Sequence, residues 1–162
     1  MTPQTHQGGW IIIATFVAAL MLTVAPLPDW LGQMRPEWAA LVLIYWCMAL
    51  PQRIGVGVGW IVGLFVDVLR AELLGQYALA FALIAYVTLH LHRRVRVFPL
   101  WQQAASVLVL IVLEQMLILW VKGIMGQSPH TWTYWLPSVT SMLVWPIVYM
   151  LLRGIRRYYR IS

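Results

Sequence analysis

A chain of 162 residues that is 62% hydrophobic and only 10% charged lies far from the composition of a soluble globule and belongs with polytopic membrane proteins. Its formal charge of +6 comes from basic residues clustered between apolar runs, where they set topology and touch anionic lipid, which argues against nucleic acid as a partner. The single cysteine, Cys47, sits inside an apolar run, so neither an internal disulfide nor a cysteine metal site can be built.

The apolar runs predict an all-α fold of six transmembrane helices, over residues 10–25, 38–50, 54–69, 73–91, 100–121 and 134–152, forming one integral membrane domain over 1–162. Residues 1–9 carry no Lys or Arg and no small-residue cleavage site follows, so the first run reads as a retained helix rather than a signal peptide. Pro26 and Pro28 end it, and Asp29, Arg35 and Glu37 mark a polar connection. The second run reaches only about 20 Å at about 1.5 Å per residue, short of a core of about 30 Å, and reads as a short or partly re-entrant helix. Pro51, Gln52 and Arg53 turn into the third run, which Arg70, Ala71 and Glu72 close. The fourth leads into His90, His92, Arg93, Arg94 and Arg96, expected as a surface loop before Pro99. The fifth holds Glu114 and ends at Lys122, and 123–133 is expected as a loop. The sixth contains Pro146, which should kink it, and a basic tail follows.

Six crossings return both termini to one side. That side holds Arg53, Arg93, Arg94, Arg96, Arg153, Arg156, Arg157 and Arg160, against Arg35, Arg70 and Lys122 on the other, which places both termini in the cytoplasm. Trp10, Trp30, Trp38, Trp101, Trp120, Trp132 and Trp135 fall near run ends, as an interfacial belt would, whereas Trp46, Trp60 and Trp145 are expected to pack between helices.

Gly55, Gly59, Gly63 and Asp67 recur every four residues, so in a helix they form one small-residue face ending in an acid, and Gly75 closes the stretch. Such a face is a helix-packing or partner-binding surface, because glycines let backbones approach closely. Asp67 and Glu114 are the acids well inside apolar runs. Counted from Arg53 and Pro99 they lie at matching depths of about 21 and 22 Å, in the outer half of the membrane. One reading makes them a shared polar site, a proton relay or an anchor for a cation or polar group. The reading preferred for chemistry pairs Asp67 with Arg70 one turn on, snorkelling outward, and has Glu114 bond Gln115 or a neighbouring helix.

Other candidates carry less. His90 and His92 point to different faces of a helix and have no third ligand nearby, so no metal site is expected. Ser138, Thr140 and Ser141 share their helix with no His or Lys base, so they bond backbone rather than act as nucleophiles and no catalytic residue is proposed. Ala14 and Ala18 form a second small-residue pair, suited to ordinary packing or to docking a partner. The arginines of the tail, with Tyr158 and Tyr159, most simply pin the last helix at an anionic leaflet, the alternative being a cytosolic partner that uses them. No cofactor is implied.

The stretch RPEWAALVLIYWCMALPQRIGVGVGWIVGLFVDVLRAELLG, the PLWQQA segment, and the final Trp145-Pro146 with its basic tail resemble the rod shape-determining MreD family of proteobacteria over nearly the whole chain. The most specific part is Gly63, Asp67, Leu74 and Gly75 following Arg35, Pro36 and Trp38. The resemblance implies a non-enzymatic inner-membrane scaffold of the cell-elongation machinery that works with MreC, and through it with the transpeptidase and glycosyltransferase of lateral wall synthesis. It also implies a six-helix fold similar to the substrate-binding subunits of energy-coupling-factor vitamin transporters, and such a subunit is the rival function. The family has no established catalytic residues to carry over.

Overall fold

A computed structural model describes residues 9–24, 37–50, 54–69, 75–97, 99–124, 126 and 135–159. Its elements are helices: α1 (Gly9–Val24), α2 (Trp38–Ala49), α3 (Val56–Leu69), α4 (Gln76–Arg96), α5 (Leu100–Ile124) and α6 (Leu136–Tyr159). The connections at 25–36, 51–53, 70–74 and 127–134, with Arg35, Arg53, Arg70, Trp30 and Trp132, lie outside the described residues, as do Arg160 and the tail beyond it.

Three helices outrun their apolar stretches. α4 continues to Arg96, so the basic segment expected as a surface loop forms the last turns of a helix, and α6 continues to Tyr159. Arginine is a good helix former, and a cation in the last turn faces the negative end of the helix dipole, so these residues prolong a helix rather than end it. α5 likewise runs past Lys122 and Gly123 to Ile124.

α2 is the hub. Its sequence, WAALVLIYWCMA, is apolar on every face, and a helix of that kind has to be buried all round. Ten of its residues, Ala39 through Met48, are buried. It touches each of the other five helices, which follow one another around it as α1, α3, α4, α5 and α6. α1 and α6 close this ring only loosely, and an apolar groove of about 150 Å³ opens between them, lined by Thr15, Ala18, Leu22, Val42, Val148 and Leu151 among others. The expected short second helix is thus a largely enclosed one, about 18 Å long at about 1.5 Å per residue, whose length is matched to protein rather than to lipid.

Two tryptophans are fully buried among the described residues, Trp46 and Trp145, and both satisfy their indole N–H groups on neighbouring helices: Trp46 Nε1 donates to Thr15 Oγ1 at 3.0 Å and Trp145 Nε1 to Gln103 Oε1 at 3.3 Å. Trp60 corrects the expectation for it, being 50% exposed on the outer face of α3 rather than packed between helices. Around the bundle the outward positions are large and apolar, Ile13, Val17, Phe65, Val68, Val109, Met116, Leu143 and Ile147 among them, as a lipid-facing surface requires. α5 and α6 are long and apolar enough to cross a membrane, and α1 to α4 contain shorter apolar stretches.

The tightest packing joins α3 to α4. A Cβ added at Gly59 would lie 2.8 Å from the Phe81 carbonyl oxygen and 3.1 Å from Ala85 Cβ, and one added at Gly63 would overlap the backbone of Tyr77 and Ala78. Gly57, exposed on the other face of the same helix, would meet nothing within 4 Å. Gly63→Ala should therefore lower stability by about 1–3 kcal/mol or more, because backbone cannot yield as a side chain can. Gly57→Ala should leave it unchanged or slightly raised. Thermal unfolding of the two variants in detergent checks the contrast; equal melting temperatures would show that the α3–α4 contact does not depend on Gly63.

Candidate functional site

The sequence places one small-residue face on α3, and the structure turns it inward against α4: Gly59, Gly63 and Asp67 are buried, while a Cβ at Gly55 would make ordinary contact with Leu89 Cδ1 at 3.7 Å. Close approach of the two backbones at Gly63 brings the end of α3 beside the start of α4, and Asp67 lies one turn further along. Its carboxyl group meets the first N–H groups of α4. Asp67 Oδ2 accepts from Gly75 N at 2.9 Å and from Ala78 N at 3.3 Å, and Oδ1 accepts from Tyr77 N at 2.9 Å.

These N–H groups have no acceptor within their own helix, which is why helix N-termini recruit side-chain oxygens and bind anions. Here the oxygens come from the preceding helix. Gly75, at φ +104°, supplies the left-handed backbone that leads into α4, a conformation that a Cβ would strain. Asp67 is 0% exposed, so the expected outward snorkelling does not occur, and its carboxyl oxygens accept from the backbone at the start of α4; the expected pairing with Arg70 falls on a residue outside the described ones. The second acid, Glu114, is 1% exposed on α5, next to the buried Gln115.

A second polar junction anchors α2. The Glu37 N–H, at the start of α2, donates to Ser141 Oγ on α6 at 2.9 Å, inside the protein. Ser138 and Thr140 donate to the carbonyls of Trp135 and Leu136 on their own helix. Ala14 and Ala18 lie on the exposed face of α1, and Ala18 lines the groove between α1 and α6. Of the basic residues, Arg94, Arg153 and Arg157 are exposed and Arg156 is half-buried; the side chains of Arg93 and Arg96 and the whole of Arg160 lie outside the described residues. His90 stacks edge-on against Tyr86 at 4.4 Å between ring centroids. Among the described residues no group of three or more His, Cys, Asp or Glu could hold a metal ion.

Sequence reasoning missed one feature. At the end of the bundle where α2 and α6 finish and α5 begins, a cleft of about 100 Å³ is lined by Tyr45, Gln103, Tyr149, Arg153 and Arg156 with Met48 and Ala49. The spacing of Tyr149, Arg153 and Arg156 already puts those three on one face of α6. The walls supplied by α2 and α5 come from tertiary packing.

If the Asp67 carboxyl group serves as the cap of α4, Asp67→Ala should cost about 2–4 kcal/mol by leaving buried N–H groups unmatched, and Asp67→Asn, which keeps one acceptor oxygen, about half of that. Thermal unfolding in detergent gives the order. Equal stability of wild type and Asp67→Ala would remove the cap from this account.

A family model described as rod shape-determining protein MreD matches residues 4–155. The rod shape-determining protein MreD of Haemophilus influenzae is 32% identical over 146 residues, covering 90% of this chain and 90% of that protein. No solved structure matches. A match over nearly the full length, on an all-helical chain with an apolar exterior, places the protein among the determinants of rod shape in bacteria: the chain belongs to the MreD family.

Proposed function

We propose that this protein is a non-enzymatic scaffold of the cell-elongation machinery in the bacterial inner membrane, crossing it six times with both termini in the cytoplasm. In this reading it binds MreC, and through it the transpeptidase and glycosyltransferase that build lateral wall. The six-helix arrangement would be similar to that of energy-coupling-factor substrate-binding subunits. Membership in a shape-determining family supports the role. The observation that carries the scaffold over a chemical role is the use made of Asp67, whose two carboxyl oxygens both serve the backbone of α4.

Because Gly59 and Gly63 are spent inside the bundle, a partner helix has to use another face. We assign it the groove between α1 and α6, where Ala18 and the neighbouring Ala14 leave room for a helix to approach and where α2 is least enclosed. MreC is the occupant proposed.

The test is gentle extraction from native membranes followed by mass spectrometry of what stays bound. MreC should co-purify with the wild-type protein, and Ala18→Trp, which fills the groove, should reduce its recovery by about tenfold without lowering the level of the protein itself. Recovery of ATP-binding transport proteins in place of MreC would overturn the scaffold in favour of a transporter subunit. Unchanged MreC recovery with Ala18→Trp would overturn the choice of groove.

A further inference from the structure

We propose that the cleft between α2, α5 and α6 is a binding site for a phosphate group, with Arg153 and Arg156 as its cationic wall and Tyr45, Tyr149 and Gln103 as its polar floor. Arginines in the last turns of α6 would be favourable against the helix dipole wherever they pointed. What marks these two is the space they border. The cleft measures about 100 Å³, against the roughly 10–15 Å³ that one water requires on the same measure, so it admits a group of several heavy atoms.

Its chemistry is one-signed. The chain has five acids in all, and among the described residues none lines the cleft. Arg153 and Arg156 both line this space, and the Arg156 charge acts on the Tyr45 hydroxyl across it. Guanidinium groups match the geometry of phosphate oxygens and bind them through paired, charge-assisted hydrogen bonds. The floor is buried, Tyr45 at 3% and Gln103 at 2% exposure, while Arg153 is exposed and Arg156 half-buried. An anion can therefore enter between the arginines and meet polar groups at the bottom. The Tyr45 and Tyr149 rings, edge-on at 5.7 Å between centroids, fix the width of that floor.

A phosphate can come from a phospholipid headgroup or from a free phosphate, and both present the same oxygens to the arginines. The lipid source rests on the reading of this end of the bundle as the cytoplasmic surface. Binding is measured on the purified protein without MreC, so failure of this site and failure of the scaffold reading are scored separately.

The experiment uses full-length protein in neutral detergent, titrated with short-chain phosphatidylglycerol, with inorganic phosphate, and with diacylglycerol of the same chains. Phosphatidylglycerol should bind, and Arg156→Gln should weaken it by about tenfold, as loss of a charge-assisted pair implies. Arg157→Gln, with the same change in charge one residue along and no part in the cleft, should weaken it by less than about twofold. Displacement by inorganic phosphate would show that the phosphate group suffices; failure to displace, with the Arg156 dependence intact, would assign the site to the lipid headgroup. Equal effects of Arg156→Gln and Arg157→Gln, or diacylglycerol binding as tightly as phosphatidylglycerol, would overturn the proposal. Should Arg156→Gln not fold by circular dichroism, Tyr45→Phe removes one hydroxyl from the floor and should still weaken phosphatidylglycerol several-fold; wild-type affinity in that variant would also overturn it.

Discussion

A helix that begins inside an apolar environment exposes N–H groups that neither its own backbone nor water can satisfy, and the junction of α3 and α4 is built around that constraint. Asp67 meets it from the preceding helix, accepting from Gly75, Tyr77 and Ala78. The arrangement needs the two backbones close together, which Gly59 and Gly63 permit, and a left-handed residue at the turn, which Gly75 supplies. The carboxyl group and the glycines are therefore one device. Removing a glycine separates the helices and takes the acid away from its donors; removing the acid leaves the close contact with unmatched polar groups at its end.

The enclosed α2 places the rest. Because it has no polar face, its neighbours must cover it on every side, and five helices do so in an almost closed ring. Polar contacts sit where the ring needs a fixed position: the Glu37 N–H on Ser141, the Trp46 indole on Thr15, and the Trp145 indole on Gln103. Apolar packing alone distinguishes poorly between neighbouring rotations of a helix, whereas a buried donor with one acceptor in reach selects one. Among the described residues, the open seam between α1 and α6 and the arginine-lined cleft are places where this ring leaves room for something else.

Much of the architecture was legible in the chain itself. Apolar run lengths located six helices, and the four-residue spacing of Gly55, Gly59, Gly63 and Asp67 put them on one face. The ends of α4 and α6 were less legible, because arginine stops an apolar run without stopping a helix. Asp67 was expected to snorkel outward and is buried instead, because position in one helix does not tell what packs against its face. Backbone donors for it lie eight to eleven residues on, at a distance along the chain that no periodicity encodes. Trp60 failed for a related reason: position within an apolar run gives depth, but which side of the helix faces protein depends on where the neighbours are.

Run lengths and spacing in the chain were enough to establish the helices, the residues that share a helix face and, through the resemblance, membership in the MreD family. Which faces meet, and which are left outside, came from packing between helices. It turned the glycine stripe inward onto α4, made the short second helix the enclosed centre, and joined Tyr45 and Gln103 to Arg153 and Arg156 from three separate helices. The physical reason is that periodicity follows from the bonding of one helix to itself, whereas the choice of neighbour follows from backbone approach and buried polar matching between segments far apart in the chain.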